Sequence, residues 1–448
     1  MRRVLIITYY WPPSGGGGVQ RWLKFVKYIR NFGWEPIVFT PSNPEMPSVD
    51  MSLMKEIPAG LEIIKNRILE PYSLYKKFTG RKKEDKIQTA FLAEKKSKMN
   101  FLEDISIWIR GNLFIPDARR FWIRPSVKLL SKYIADRDVD AIITTGPPHS
   151  AHLIGMQLKE RFGIPWLADF RDPWTNIDYY HDLKLGRRAD KIHHHLEKQV
   201  LTSADALTVV SPGMEREFVS IVPRKIHVVP NGYDEADRKG IDVSCVNRER
   251  FSIAHIGSLT KTRNSENLWK VLKDLCSENQ LFAQKLEIRN VGKIDISAID
   301  SLRKYGMDKY LIRIDYIPHE QVIAEQQKAA VLLLLVNNTP NAKLILTGKL
   351  FEYLASRRPV VCIGPPDGDA ATIIRNTHCG TVFGFDETTR LKEEILRLFK
   401  DFMNPEKKVE CENVEQYERK NLTYRIAQVL DEIEMQARKR KTKTSGST

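Results

Sequence analysis

The chain has 448 residues, 42% hydrophobic and 28% charged, with a formal net charge of +15. That length exceeds one ordinary hydrophobic core, so two or three domains are expected, and the composition excludes a disordered or fibrous chain. No apolar run approaches the ~18–20 residues of a membrane span, and five scattered cysteines offer neither a disulfide framework nor a zinc-ligand spacing.

Residues 4–8 read as a buried parallel strand. After them come Trp11-Pro-Pro, the glycine run 15–18, and a helical pattern over 19–29 with Val19, Leu23, Val26 and Ile29 on one side. A glycine-rich turn between strand and helix lets a ligand approach the backbone closely. The next strand, 36–40, ends in Phe39, Thr40 and Pro41. It carries no acid for a ribose, which argues against a dinucleotide cofactor. The apolar start is too short for a secretory signal, so a cytoplasmic protein is expected.

Residues 72–100 are basic, with Tyr72, Tyr75, Phe78 and Phe91 interleaved. They lead into Trp108, Ile109, Leu113, Phe114, Phe121 and Trp122. Two readings stand: a solvated insertion followed by core helices, or a surface that meets anionic lipid, which would put the protein peripherally on the inner face of the membrane. The strands at 141–145 and 165–168 are followed by Gly146-Pro-Pro-His149-Ser-Ala-His152 and Asp169-Phe-Arg171-Asp172-Pro-Trp174. Carboxyl ends of parallel strands are where open α/β sheets bind ligands. Arg171 either pairs with an aspartate and pins its loop, or the cluster meets a ligand. His152, one turn beyond His149, reads as structural. The run 193–195 is three histidines in a row. Neighbours on a helix point about 100° apart, so the three cannot share a metal.

The polar stretch 236–250 reads as a linker between a domain at 1–235 and another at 251–420. A strand at 251–256 precedes Gly257, Lys261 and Arg263. The helix that follows has Leu268, Val271, Leu272 and Leu275 inward. Cations before a helix N-terminus suit an anion. Strands at 286–291, 311–316 and 331–335 continue the alternation. Gly348 then opens a helix with Leu350, Phe351, Leu354 and Ala355 on one side and Lys349 and Glu352 on the other. The helix dipole disfavours a cation in the first turn, and a bound anion would reverse that. Glu352, one turn on, could accept hydrogen bonds from sugar hydroxyls. The alternative is a solvated Lys349–Glu352 pair. A last helix, 421–437, has the length to return to the first domain, and 438–448 reads as a disordered basic tail.

Residues 349–355, Lys-Leu-Phe-Glu-Tyr-Leu-Ala, with Pro359, Val360 and Val361, resemble the donor-site helix of family-4 glycosyltransferases of the bacterial group-1 type. The pair GPPHSAHL and DFRDPW resembles a subset of the same family. Leu344 departs from it, standing where members often carry the first of two glutamates. Ser258 departs too, standing where an arginine commonly follows the glycine. The resemblance implies an α/β fold of two doubly wound Rossmann-like domains facing across a cleft, known as GT-B. It implies transfer of a sugar with retention, from a nucleotide-diphosphate donor to a hydroxyl of a sugar or lipid-linked acceptor, in cell-surface polysaccharide or lipopolysaccharide assembly.

By the same resemblance Arg263, Lys349 and His149 serve catalysis. Glu352, Lys261, Gly348, Gly257, Ile317 and Pro318 hold the donor nucleotide. Gly16, Gly17 and Gly18 form a phosphate or cleft loop, and Asp169, Arg171, Asp172 and Trp174 line the acceptor side. No metal or cofactor is expected. Two alternatives differ in class: a GT-B nucleotide-sugar epimerase, and a non-catalytic basic protein that binds membrane or nucleic acid. The second is disfavoured as to nucleic acid, because the chain shows no aromatic-rich RNA motif.

Overall fold

Val4, Leu5, Ile6 and Ile7 are all fully buried. A strand apolar on both faces belongs inside a parallel sheet covered by helices. In the computed structural model, which describes residues 1–46, 48–69, 100–177, 179–240, 247–315, 317–404 and 410–445, this strand is β1 (Arg2–Ile7). The other strands of its sheet are β2 (Trp34–Pro41), β3 (Glu62–Asn66), β4 (Ala141–Gly146), β5 (Trp166–Phe170), β6 (Ala206–Val209) and β7 (His227–Val228). They pair in the order β3-β2-β1-β4-β5-β6-β7, all parallel. The order reverses between β1 and β4, the switch point at which such sheets leave a crevice.

Alternation along β1 divides its residues between two cores. Leu5 and Ile7 join Phe39, Trp122, Ile154 and Trp166. Val4 and Ile6 join Trp22, Leu23 and Val26 of the helix Gly17–Ile29, together with Leu422, Ile426, Leu430 and Ile433. Those last four recur at helix spacing along Arg419–Ser445. The end of that helix therefore belongs to the first compact unit, which comprises residues 1–230 and 422–448.

The second unit, residues 231–421, repeats the plan. Its strands are β8 (Phe251–Ile256), β9 (Leu286–Val291), β10 (Leu311–Ile314), β11 (Val331–Leu335), β12 (Val360–Ile363) and β13 (Gly380–Phe383), paired in parallel as β10-β9-β8-β11-β12-β13. The switch point lies between β8 and β11. One face packs Ala254, Ile256, Leu332 and Leu334 on Leu350, Phe351 and Leu354. The other packs Phe251, Ile253 and Leu333 on Leu268, Leu272 and Phe399.

Four expectations change. The described ends of the stretch read as a linker, 236–240 and 247–250, belong to the second unit, and 241–246 lie outside the described residues. The Tyr233 amide donates to the Tyr417 carbonyl and the Arg419 amide to the Tyr233 carbonyl, while Asn247 and Arg250 bond to Lys328 and Gln284. The basic tail is helical as far as Ser445, so a disordered segment does not begin at 438. Cys379 is bonded to Cys411, 32 residues away and with Cα atoms 4.8 Å apart. That is disulfide range, which no local spacing reveals. Asp169 lies within β5, not in the loop after it. The basic run between 72 and 99 lies outside the described residues.

Candidate active site

In the second unit the loops at the carboxyl ends of β8 and β11 meet the N-terminus of the helix Gly348–Ser356. Gly257 adopts φ +124°, a conformation that glycine tolerates and side chains do not. A Cβ there would lie 1.9 Å from Lys349 Nζ and 2.3 Å from Cε, so the lysine stem runs across this α-carbon. Gly292 backs Gly257 in turn, since its own Cβ would approach the Gly257 carbonyl to 3.0 Å. Arg263 sits in the turn Lys261–Arg263. Its Nε donates to Asn337 Oδ1 at 2.6 Å and its Nη1 to the Ser258 carbonyl at 3.1 Å. The Asn338 amide bonds to the Thr262 carbonyl and latches the two loops.

The electrostatics are those of an anion site. Burial, and then the Arg263 charge, push Lys349 down to about 7, with Glu352 opposing. His255, buried at the end of β8, donates from Nδ1 to the Leu333 carbonyl at 3.1 Å. Burial and the neighbouring Lys349 charge push His255 down to about 3. Thr347 caps the helix without a side-chain hydrogen bond, and its Oγ1 is buried with no partner among the described residues. No acid occupies the first turn. The opening amides, the Thr347 hydroxyl, Lys349 and Arg263 thus supply donors and positive charge together. Glu352 accepts from Gln326 Nε2 at 2.9 Å, which orients its carboxylate.

Lys261 is exposed on the same turn, and no Cβ contact would arise at Gly348. Ile317 and Pro318 follow β10, two strands from β8, roughly 10 Å along the sheet. They share the sheet end but stand apart from the cationic cluster.

In the first unit a second cluster forms at the carboxyl ends of β1, β4 and β5. Gly16 opens its helix at φ +98°. Gly18 has no room for a side chain, because a Cβ would fall 2.4 Å from Arg171 Nη1, while Gly17 has open space. Arg171 donates from Nε to the Gly146 carbonyl at 3.3 Å and from Nη2 to the Pro147 carbonyl. It holds the glycine loop and the Pro-Pro loop together. Asp172 is exposed beside it.

His149 is buried and stacks on Trp174, with ring centroids 4.4 Å apart and planes within 4°. Trp174 in turn donates to His193 Nδ1 at 3.2 Å. Burial, and then His152, His193 and Arg171, hold His149 well below the usual histidine range, so it is neutral.

Asp169 is corrected. It has no exposure and accepts from Arg21 Nη2 at 2.7 Å, Arg21 Nε at 3.1 Å, Trp22 Nε1 at 2.7 Å, Thr145 Oγ1 at 2.9 Å and Thr208 Oγ1 at 2.8 Å. Both oxygens are committed, so the residue anchors the Gly17–Ile29 helix to β5 and cannot face an acceptor. Trp174, 3% exposed, is likewise a wall behind His149 rather than a surface contact. The sequence reading missed Arg21, Trp22, His255 and Thr347. Only His255, a histidine two residues before a glycine at a strand end, left a local trace.

Residues 103–232 match the model of the glycosyl transferase 4-like domain. A search of curated protein sequences finds no match. Among solved structures, the chain is similar to a sucrose-phosphate synthase from Thermosynechococcus elongatus, with 14% identity, all of both chains covered and a TM-score of 0.55. It is also similar to HepE from Anabaena in complex with UDP-glucose, with 12% identity, all of both chains covered and a TM-score of 0.51. A third is WaaG, a glycosyltransferase involved in lipopolysaccharide biosynthesis, with 14% identity, 95% of this chain and 99% of that one covered and a TM-score of 0.52. At such identities the likeness establishes the two-sheet architecture. Residues 103–232 thus match the glycosyl transferase 4-like domain, and the chain along its whole length shares the GT-B architecture of these structures.

Proposed function

We propose that the protein transfers a sugar from a nucleotide-diphosphate donor to a hydroxyl acceptor, with retention of the anomeric configuration, in assembly of a cell-surface polysaccharide or lipopolysaccharide. The observation that carries this is the corner where Lys349 crosses Gly257 beside Arg263, at a helix N-terminus whose cap hydroxyl is unpartnered. As the glycosidic bond breaks, charge develops on the leaving diphosphate. Lys349, Arg263 and the opening amides stabilise it with no divalent metal, and this preorganised field is the main catalytic contribution. Glu352, one turn further in, accepts from the ribose hydroxyls. In the first unit His149 bonds a sugar hydroxyl, and the loop of Gly16, Gly17 and Gly18, with Asp172, serves the acceptor side. UDP-glucose bound to HepE makes uridine diphosphate the first nucleotide to try.

A lipid-linked acceptor at an anionic membrane fits a further surface of the first unit. On the helix Asn100–Leu113, Trp108 is 47% exposed and Leu113 55%, with Ile109 and Phe121 also open. The Gly186 amide donates to Asn112 Oδ1, which brings exposed Arg187 and Arg188 to the same end of that helix. Among the described residues no helix is long and apolar enough to cross a membrane. A surface contact would therefore rest on these side chains.

Thermal unfolding with uridine, guanosine and adenosine diphosphates tests the donor site. One of them should raise the melting point, because a ligand selective for the folded state stabilises it. If none does, the proposal is wrong. Product analysis with donor alone separates transfer from epimerisation, because an epimerase turns over without an acceptor.

A further inference from the structure

We propose that His152 is a positioning residue that selects the tautomer of His149, so that His149 presents an N–H from Nε2. This rests on the reading of His149 as the group that bonds a sugar hydroxyl, and it turns that residue from an undefined partner into a donor.

An indole N–H can only donate. Trp166 Nε1 donates to Thr144 Oγ1 at 2.8 Å, and the same oxygen lies 2.8 Å from His152 Nδ1. The hydroxyl that accepts from Trp166 keeps its own proton to give to Nδ1. Thr144, His152 and Trp166 are all fully buried, so no solvent competes for these positions. His152 Nδ1 is therefore an acceptor, and the ring carries its proton on Nε2.

That Nε2 is buried and has no hydrogen-bond partner among the described residues, and the same is true of His149 Nδ1. Both face one point. A Cβ built on Gly146 would lie 2.5 Å from His152 Nε2 and 3.0 Å from His149 Nδ1. The glycine leaves that space open, and any side chain would close it. No direct hydrogen bond joins the two nitrogens among the described residues, so one water in that space would accept from His152 Nε2–H and donate to His149 Nδ1, which leaves the His149 proton on Nε2. No proton is transferred in this step. The Trp174 ring stacked on His149 fixes the imidazole plane, which keeps the two nitrogens from exchanging places.

Imidazole-15N-labelled, ligand-free protein provides the test by nuclear magnetic resonance, with His149→Gln assigning the signal. Wild-type His149 should be neutral and protonated on Nε2. His152→Asn keeps a polar group near the Thr144 hydroxyl but removes the donor at the Nε2 position. It should turn the His149 signal into a mixture of tautomers and lower kcat by roughly tenfold, the loss of one buried hydrogen bond. His152→Gln restores an N–H near the Nε2 position and should return the wild-type signal.

His149 protonated on Nδ1 in the wild type overturns the inference, as does an unchanged His149 signal in a folded His152→Asn. If that variant fails to fold, a mixed His149 signal in His152→Gln overturns it. Absence of sugar transfer by the wild-type protein, with the spectra as expected, overturns the functional reading and leaves this one standing.

Discussion

Lys349 and Gly257 depend on each other. On the proposed reading the lysine brings its ammonium to the donor diphosphate, and its stem occupies the space where any other residue at 257 would put a Cβ. Gly257→Ala should therefore lower turnover as Lys349→Ala does, by at least about tenfold, with the far-ultraviolet spectrum unchanged. Steady-state kinetics on the purified variants decides it. The Lys349 pKa of about 7, against an ordinary 10.5, adds a pH signature. The ammonium form is the one that would bind a diphosphate. Below pH 7 it is already charged, and affinity gains nothing from further acid. As pH rises through 7 the free protein loses a proton that the complex requires, so affinity should fall by about tenfold per pH unit until the pKa of the complex is reached. Calorimetry at pH 6 to 9 should show this slope in the wild type, together with proton uptake, and neither in Lys349→Met. Asp169 is a residue of the opposite kind. Burial alone would raise its pKa, but Arg21, Trp22 and Thr208 outweigh burial and hold it below the usual carboxylate value. Its contribution to stability is present above the unfolded pKa and lost as pH falls through the folded one. Asp169→Asn leaves Arg21 as an uncompensated buried charge, so urea unfolding at pH 7 should show a loss of about 3–5 kcal/mol. The placing of Lys349 and Glu352 on one helix was legible because their spacing is local. Asp169 was not, because its partner Arg21 stands 148 positions away and nothing in a six-residue motif says which side of a strand a side chain takes.

At the scale of elements, the parallel strands were legible from apolar runs such as residues 331–335, buried on both faces. The helix Gly348–Ser356 was legible from its apolar period and from the proline that follows it. The return of the last helix to the first domain was legible from its length, but its end was not. The last two turns of Arg419–Ser445 are basic, which from sequence resembles a solvated tail. Yet Leu422, Ile426, Leu430 and Ile433 cover the face of the first sheet that Val4 and Ile6 present, and Trp34 Nε1 donates to Asp431 at 2.9 Å. The helix is therefore part of the core of that unit. Leu430 is fully buried. Leu430→Ala should cost about 2–5 kcal/mol, the usual penalty for an emptied leucine site. The loss should appear in the unfolding of the first unit, reported by fluorescence of its tryptophans, while nucleotide-diphosphate affinity measured at a temperature where both units are folded stays unchanged, because the cationic corner belongs to the second unit. Equal destabilisation of a variant truncated after 421 would show that Leu430 carries the whole contribution of the helix. A larger loss on truncation is expected, since Leu422, Ile426, Ala427, Val429 and Ile433 go with it.

For the whole molecule, a net charge of +15 is more than a diphosphate site needs. The cationic corner holds Lys349 and Arg263, and among the described residues most of the other basic side chains face solvent at least in part, where like charges repel. A negatively charged bilayer would use that excess, and the first unit supplies apolar side chains to go with it: Trp108, Ile109, Leu113 and Phe121, beside Arg120, Arg187 and Arg188. The two contributions respond differently to salt. Each arginine near an anionic surface contributes about 1 kcal/mol, screened as the Debye length falls from about 10 Å at 0.1 M to about 3 Å at 1 M. Burial of an indole in the headgroup layer is not screened. The full-length protein should therefore sediment with phosphatidylglycerol vesicles at low salt and only weakly with phosphatidylcholine vesicles. Arg187→Gln and Arg188→Gln should each weaken binding by about fivefold at 0.1 M salt, with much smaller effects at 1 M. Trp108→Ala should weaken it by a similar factor at both salt concentrations. Equal binding to both lipids would remove the electrostatic half of the argument. An unaffected Trp108→Ala would remove the apolar half and return the exposed side chains of Asn100–Leu113 to ordinary surface.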